Sequence, residues 1–366
     1  LGKKKSIQRI LITGGGTGGH LFPGIAVAEA ILKKYPGSEV VFIGTERQID
    51  AKALRDRPFT TISLKSSGLK GLGLSAKLRT ILHMPASLFA AAAVIRKSQP
   101  DIVLGVGGYV TGPVLLAARL LRVPCAIHEQ NSVPGLANRL LGKIVNKVFI
   151  SLPGSESYFP GRKTFVTGNP VREELVSAAI TADSGEGKPP TLLVLGGSQG
   201  AHRLNMLMLE ALADRTAMGP PRFTVIHQTG TDDRDAVREG YDRLGIKAEV
   251  ADFFQDMAPL YQKADLVISR AGATTLAEIM IFGIPAILIP YPYAADNHQE
   301  KNGRLLVDRG GASMFAEGEL TGARLGREIM RLLTDEEQRR EMARKMRSMA
   351  CPQATDTIIQ HCLDML

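Results

Sequence analysis

Seven residues, Gly14-Gly15-Gly16-Thr17-Gly18-Gly19-His20, stand between an apolar run, Ile10-Leu11-Ile12, and a helical pattern from Ile25 to Leu32. A glycine-rich turn between strand and helix lets backbone N–H groups close on a ligand at the positive end of the helix dipole. The chemistry on offer is therefore the binding of a phosphate or another anionic oxygen. The device recurs about half a chain later, where Leu192-Leu193-Val194-Leu195 runs into Gly196-Gly197-Ser198-Gln199-Gly200 and a helical stretch from Arg203 to Leu212. The first loop contains Gly14-x-Gly16-x-x-Gly19, the spacing of a dinucleotide fingerprint. That fingerprint also wants an acidic residue about twenty positions on, closing the second strand. Here the second strand, Val40-Val41-Phe42-Ile43, ends in Gly44-Thr45 before Glu46, which leaves that check ambiguous. His20 is a further departure, because a dinucleotide loop has no need of an imidazole.

Other stretches place glycines and polar groups just after apolar strands, where open α/β sheets bind ligands. Gly105-Val106-Gly107-Gly108-Tyr109-Val110-Thr111-Gly112-Pro113 follows Ile102-Val103-Leu104, and His128-Glu129-Gln130-Asn131 follows a strand ending at Ile127. Gly168-Asn169-Pro170-Val171-Arg172 lies near mid-chain. The second half carries Ser269-Arg270-Ala271-Gly272-Ala273-Thr274-Thr275-Leu276-Ala277-Glu278 and Asp296-Asn297-His298-Gln299. Gly272 to Thr275 opens a helix whose first N–H groups suit a diphosphate. Glu278, one turn in, can accept hydrogen bonds from two ribose hydroxyls. The planar fork of Arg172 suits phosphate, and Ser198 suits either a phosphate contact or a helix N-cap.

These residues need a scaffold, and the chain supplies alternating patterns. Strands are predicted at Ile10–Ile12, Val40–Ile43, Ile102–Gly105, Cys125–Ile127, Val148–Ile150, Leu192–Leu195, Val225–Gln228, Leu266–Ile268 and Ala286–Ile289. Helical patterns such as Val114–Leu121 and Thr275–Phe282 lie between them, which predicts parallel sheets covered by helices. At 366 residues the chain can hold two domains. Residues Ser177 to Pro190 read as the linker, and a charged helix over Asp335–Met349, the turn Cys351-Pro352 and a last helix from Thr355 to Leu366 close the chain. Three widely spaced cysteines form no CxxC pair and fit a reducing compartment; Leu1–Arg9 is basic without an apolar run, so no signal peptide is expected.

Charge is uneven. Residues 1–172 hold 24 Lys and Arg against 8 Asp and Glu, whereas the remainder is acidic, with 21 against 28. A basic half calls for a polyanion. Between Leu69 and Lys97, leucines alternate with Lys70, Lys77 and Arg79, and Phe89 is the lone aromatic residue, too few for a nucleic-acid stacking surface. The uncharged run Leu82–Ile95 is too short to span a bilayer and is expected to break at Pro85. The reading is an anionic membrane surface contacted by Leu72, Leu74, Leu78, Ile81 and Leu82, with Leu88–Ile95 a core helix and no nucleic acid involved.

From about residue 9 to the end, the five groups of motifs resemble, in order, those of the MurG-type N-acetylglucosaminyltransferases of peptidoglycan synthesis. The resemblance implies transfer of GlcNAc from UDP-GlcNAc to the MurNAc 4-hydroxyl of undecaprenyl-pyrophosphoryl-MurNAc-pentapeptide (lipid I to lipid II), with inversion. It implies the α/β GT-B fold: two Rossmann-like domains with parallel sheets facing across a cleft, and a C-terminal helix crossing back. On that pattern residues 1–172, joined by about 350–366, take the lipid acceptor and the membrane, and 173–349 take UDP-GlcNAc. The enzyme would be peripheral on the cytoplasmic face of the bacterial plasma membrane, with cell-wall synthesis and division proteins as possible partners. No cofactor and no metal are expected, the Asp232-Asp233 pair and Asp235 falling in a polar, exposed loop.

The implied donor set is Thr17, Gly18, Gly19, Asn131, Arg172, Ser198, Phe254, Ala273, Thr274, Thr275, Leu276, Ala277, Glu278 and Gln299. Gln299 would read the sugar hydroxyls, and the Phe254 backbone would recognise uracil. Gly107, Gly108 and Tyr109 would hold the acceptor. One group must take the proton of the attacking hydroxyl. The candidates are Glu129 and His20, with Glu129 preferred as base and His20 as pyrophosphate ligand, the reverse remaining open. His128 reads as structural. A diacylglycerol glycosyltransferase or a UDP-GlcNAc 2-epimerase would share the fold, but should not combine His128-Glu129-Gln130-Asn131 with Gly168-Asn169-Pro170-Val171-Arg172. A non-catalytic nucleotide-sugar-binding scaffold would not need His20, Glu129, Glu278 and Gln299 together.

Overall fold

The computed structural model describes residues 6–55, 57–64, 74–181, 188–197, 200–213 and 223–366, with backbone alone for 48, 49, 52 and 74–84. The chain forms two compact units: residues 1–173 with 351–366, and residues 174–350.

Unit 1 is built on seven parallel strands: β1 (Arg9–Thr13), β2 (Glu39–Gly44), β3 (Thr60–Ser63), β4 (Ile102–Gly105), β5 (Cys125–Glu129), β6 (Lys147–Ile150) and β7 (Thr164–Val166). Their order is β3-β2-β1-β4-β5-β6-β7. The switch in direction falls at β1 and β4, whose outgoing loops are the two glycine-rich stretches. The helices are α1 (Gly18–Lys34), α2 (Gln48–Leu54), α3 (Leu74–Ser98), α4 (Thr111–Leu120) and α5 (Leu136–Ile144). Alternation along β1 sends Ile10 and Ile12 to one face, with Ile25 and Ile31 of α1, and Leu11 to the other, with Ala91 and Ile95 of α3. Both faces are covered, which is why the strands read as unbroken apolar runs.

Unit 2 has six parallel strands: β8 (Thr191–Leu195), β9 (Thr224–Gln228), β10 (Ala248–Ala251), β11 (Leu266–Ser269), β12 (Ala286–Leu288) and β13 (Ala312–Met314). They are ordered β10-β9-β8-β11-β12-β13. The chain enters it through α6 (Glu173–Ile180), so the linker expected at Ser177–Pro190 begins inside a helix. Helices α7 (His202–Ala213), α8 (Arg234–Leu244), α9 (Ala258–Lys263), α10 (Ala273–Phe282), α11 (His298–Asp308), α12 (Gly322–Thr334) and α13 (Glu336–Ser348) complete it.

The chain then returns to unit 1 as α14 (Ala354–Leu363), which buries Ile358, Ile359, Cys362 and Leu363 in the core shared with α1. Lys147 donates to the His361 carbonyl at 2.9 Å, and the His361 ring lies 4.2 Å from that of Phe165. One expectation fails: α3 runs unbroken through Pro85 for 25 residues. Proline removes a single ladder hydrogen bond, and packing of the second half through Ala91 and Ile95 keeps the helix together. Among the described residues no helix is long and apolar enough to cross a membrane.

Candidate functional site

The site is assembled at the carboxyl ends of the strands. In unit 1 the loops after β1 and β4 pack directly on each other. Gly14 N–H donates to Ile43 O of β2 at 3.1 Å, and Val106 N–H to Thr13 O of β1 at 2.8 Å. Gly107 and Gly108 sit at φ of +100° and +88°. A Cβ at Gly107 would lie 2.6 Å from His20 Cδ2, and one at Gly108 would run into the Gly15 carbonyl. Only glycines allow that approach. His20 is half-buried against Gly107, its Nδ1 lying 3.2 Å from Thr17 Oγ1. Gly18 and Gly19 form the first turn of α1, and Tyr109 is 51% exposed on the neighbouring loop.

Glu129 ends β5. It is 2% exposed, and both its oxygens are engaged. Oε1 accepts from Asn131 N–H at 2.9 Å and from Asn131 Nδ2 at 3.3 Å, while Oε2 accepts from Asn138 Nδ2 at 2.7 Å. Burial pushes its pKa up and these donors pull against that. The carboxylate shapes the loop that carries Asn131 and does not present itself to a hydroxyl. His128 is fully buried, with Gly168 O and Ser151 Oγ at Nε2 and Gln130 Nε2 at Nδ1. Burial lowers its pKa to about 4, so the ring is neutral and structural. Arg172 lies with its guanidinium carbon 5.4 Å from the centroid of Phe22, a residue of α1.

In unit 2 the N-terminus of α10 follows β11, with Gly272 as its extended cap and Thr274 and Thr275 half-buried in the first turn. Leu276 and Ala277 are buried, and Leu276 N–H donates to Gly272 O. What these two can offer a ligand is therefore the helix itself and not a side chain. Glu278, half-buried, accepts from Tyr261 OH of α9 at 2.7 Å, which orients the carboxylate. Gln299 Oε1 accepts from Tyr291 N–H at 2.9 Å, so the amide is oriented by the backbone just beyond β12. Phe254 N–H is already donated to Gln228 Oε1 at 3.1 Å. Gln228 Nε2 ties the same segment to Gly197 O. Ser198 lies outside the described residues.

Sequence reasoning missed the side chains that hold these groups: Asn138 behind Glu129, Tyr261 behind Glu278, Gln228 between two loops, and Asp50 behind the first glycine loop. Gln228 carried a signal, being a polar residue at the end of an apolar strand. Asp233 also departs from expectation. It is not a loose loop carboxylate, since His202 Nδ1 and Asn205 Nδ2 lie 2.8 and 2.7 Å from its oxygens. Among the described residues no three His, Cys, Asp or Glu side chains group as metal ligands would.

Two family models match the chain: the N-terminal domain of glycosyltransferase family 28 over residues 10–150, and its C-terminal domain over residues 191–358. A protein of Desulfotalea psychrophila is 48% identical over 365 residues, which is 100% of this chain and 98% of the relative. One of Anaeromyxobacter dehalogenans is 44% identical over 359 residues, 98% of this chain and 93% of the relative. Both are named UDP-N-acetylglucosamine--N-acetylmuramyl-(pentapeptide) pyrophosphoryl-undecaprenol N-acetylglucosamine transferase. Among solved structures, MurG of Acinetobacter baumannii matches with a TM-score of 0.77 at 31% identity, over 98% of this chain and 99% of that one. A UDP-GlcNAc 2-epimerase of Neisseria meningitidis bound to UDP-GlcNAc matches with a TM-score of 0.67 at 15% identity, covering 97% and 100%; the likeness is one of fold.

Proposed function

The chain belongs to glycosyltransferase family 28, among transferases of the MurG type, and we propose that it moves GlcNAc from UDP-GlcNAc to the MurNAc 4-hydroxyl of undecaprenyl-pyrophosphoryl-MurNAc-pentapeptide. Its two parallel α/β units are those of the GT-B fold. The observation that carries the proposal is 48% identity, along both units, to a transferase whose name states donor and acceptor together.

The residues support a division of labour. In unit 2 the N-terminal N–H groups of α10 take the diphosphate, Glu278 takes the ribose hydroxyls, the Phe254 carbonyl takes uracil and Gln299 takes the sugar. In unit 1 the Gly18–His20 turn, Gly107, Gly108 and Tyr109 take the acceptor, whose pyrophosphate meets the α1 N-terminus; this reading moves Gly18 and Gly19 out of the donor set that the resemblance implied, because they share the first turn of α1 with His20. His20 is the base in this reading, because Glu129 is buried and engaged by donors from Asn131, Asn138 and the Gly135 backbone. The 4-hydroxyl attacks C1 of GlcNAc as the C1–O bond to UDP breaks on the opposite face, and the hydroxyl proton passes to the imidazole. An oxocarbenium-like transition state leaves charge on UDP, which the α10 dipole and Arg172 receive.

A membrane-surface location belongs to the same reading. Helices α3, α4 and α5 pack side by side, and Phe89, Leu120, Leu136 and Leu140 on them are exposed, at 73%, 66%, 71% and 56%. Arg96, Lys97, Arg119 and Lys143 are exposed on the same helices. Apolar tips ringed by cations suit an anionic headgroup layer. The residues 65–73 lie outside the described part, and the side chains of 74–84 likewise. The test of the function is direct: radiolabel from UDP-GlcNAc should pass into a butanol-extractable lipid only when lipid I is supplied. Release of free sugar, or epimerised UDP-sugar without lipid product, would reject the proposal.

A further inference from the structure

Asp50, in the first turn of α2, is 1% exposed. Its carboxylate reaches across to the glycine loop. Oδ1 and Oδ2 accept from Gly16 N–H at 2.9 and 3.1 Å, while Oδ2 also accepts from Thr45 N–H at 2.8 Å and Thr45 Oγ1 at 2.6 Å. The contact is close on the other side too, since a Cβ at Gly15 would run into Oδ2. The loop is held again from above, where Arg47 Nη1 donates to Gly16 O at 2.9 Å. Gly15 and Gly16 have φ of +150° and +86°, a backbone course that other residues rarely adopt.

This arrangement turns the dinucleotide logic around. A dinucleotide loop leaves its turn open to pyrophosphate and keeps the acidic residue beyond it for ribose hydroxyls. Here the acidic residue is spent on the turn itself. The Asp50 carboxylate occupies the Gly16 N–H, so that donor is not open to a second anion, and no space remains between the carboxylate and Gly15. The other end of the loop, the first turn of α1 with His20, has the opposite electrostatics, because the helix dipole is positive there.

We propose that Asp50 is the positioning residue of this loop: it fixes the Gly15–Gly16 turn through Gly16 N–H and Thr45, and so directs the acceptor's pyrophosphate to the Gly18–His20 turn. The proposal rests on the reading of this loop as the acceptor site. Asp50→Asn keeps the shape but sets an NH2 group against Gly16 N–H or Thr45 N–H, whichever way the amide turns. In the full-length protein, amide hydrogen exchange at Gly16 should speed up roughly ten-fold or more, the scale of one charge-assisted hydrogen bond. With a short-chain polyprenyl-pyrophosphoryl-MurNAc-pentapeptide as acceptor, the acceptor KM should rise by a similar factor while the UDP-GlcNAc KM stays unchanged. Thr45→Val, which keeps the carboxylate and removes one of its donors, should move both readouts the same way by a few-fold. It serves where Asp50→Asn does not fold. Unchanged exchange at Gly16, or equal movement of both KM values, overturns the proposal. The parent reading has its own control. If His20→Ala leaves acceptor kinetics untouched, the loop is not the acceptor site, and the exchange rate at Gly16 alone then decides whether Asp50 anchors it.

Discussion

Glu278 accepts a hydrogen bond from Tyr261 OH that orients it before any ligand arrives. Glu278→Ala should raise the donor KM by the loss of two ribose contacts, about 1–3 kcal/mol, with the acceptor KM unmoved. An unchanged donor KM removes Glu278 from the site. The buried Glu129 makes a contrasting case. Glu129→Gln should keep the pH profile of kcat, whereas His20→Asn should lose kcat and the limb of that profile set by the base; the opposite pattern would restore Glu129 as the base. Its burial could not be seen in His128-Glu129-Gln130-Asn131, because the donor that closes Oε2 comes from Asn138, on the next helix. Two buried imidazoles set the acid limit of stability. Burial holds His128 at about 4 and His227 at about 3, against 6.5 for the unperturbed group. The unfolded chain binds protons there that the folded chain does not. The contribution of these two groups is therefore complete above about pH 6.5 and is lost as pH falls from 6.5 to 4 for His128, by roughly 3 kcal/mol, and on towards 3 for His227. Urea midpoints measured from pH 7 to pH 4 should fall, and His128→Gln should flatten the slope.

At the scale of elements, the strands that sequence reading found are the ones with apolar neighbours on both sides. The four it missed, β3, β7, β10 and β13, are the four sheet edges. Edge strands are short and half-covered, and segments such as Thr60-Thr61-Ile62-Ser63 or Ala248-Glu249-Val250-Ala251 carry no continuous apolar run to betray them. The glycine loops were legible for the converse reason, since the close approach of two backbones leaves its mark in composition. Helix α3 was misjudged at Pro85, where packing of the following turns outweighed one missing hydrogen bond. The basic, leucine-rich segment read from the sequence and the exposed leucines of α5 give a prediction at this scale. Reversing Lys70, Lys77 and Arg79 to Glu should abolish sedimentation with anionic vesicles, each cation near the headgroups contributing roughly 1 kcal/mol. Leu136→Asp with Leu140→Asp should weaken it independently, while transfer to a short-chain, water-soluble acceptor survives in either variant. Wild-type vesicle binding in both variants would place the membrane contact elsewhere.

At the scale of the molecule, sequence alone displayed a basic half and an acidic half. The units inherit that difference, and the reading assigns the basic one to a lipid surface and the acidic one to a soluble nucleotide sugar. Positive charge for the leaving UDP is assigned to the α10 N-terminus and Arg172, so activity should survive EDTA. Complete loss, restored by Mg²⁺ or Mn²⁺, would demonstrate a cation requirement. The return of α14 to unit 1 has a consequence for the birth of the protein. Ile358, Ile359, Cys362 and Leu363 complete the core around α1, yet they are translated only after the whole of unit 2. The unit that begins first on the ribosome therefore finishes last. Through the synthesis of some 180 intervening residues its α1 face stays uncovered, whereas unit 2, an uninterrupted stretch of chain, can close as soon as it has emerged. A cell making this protein has to shelter that groove for the whole interval.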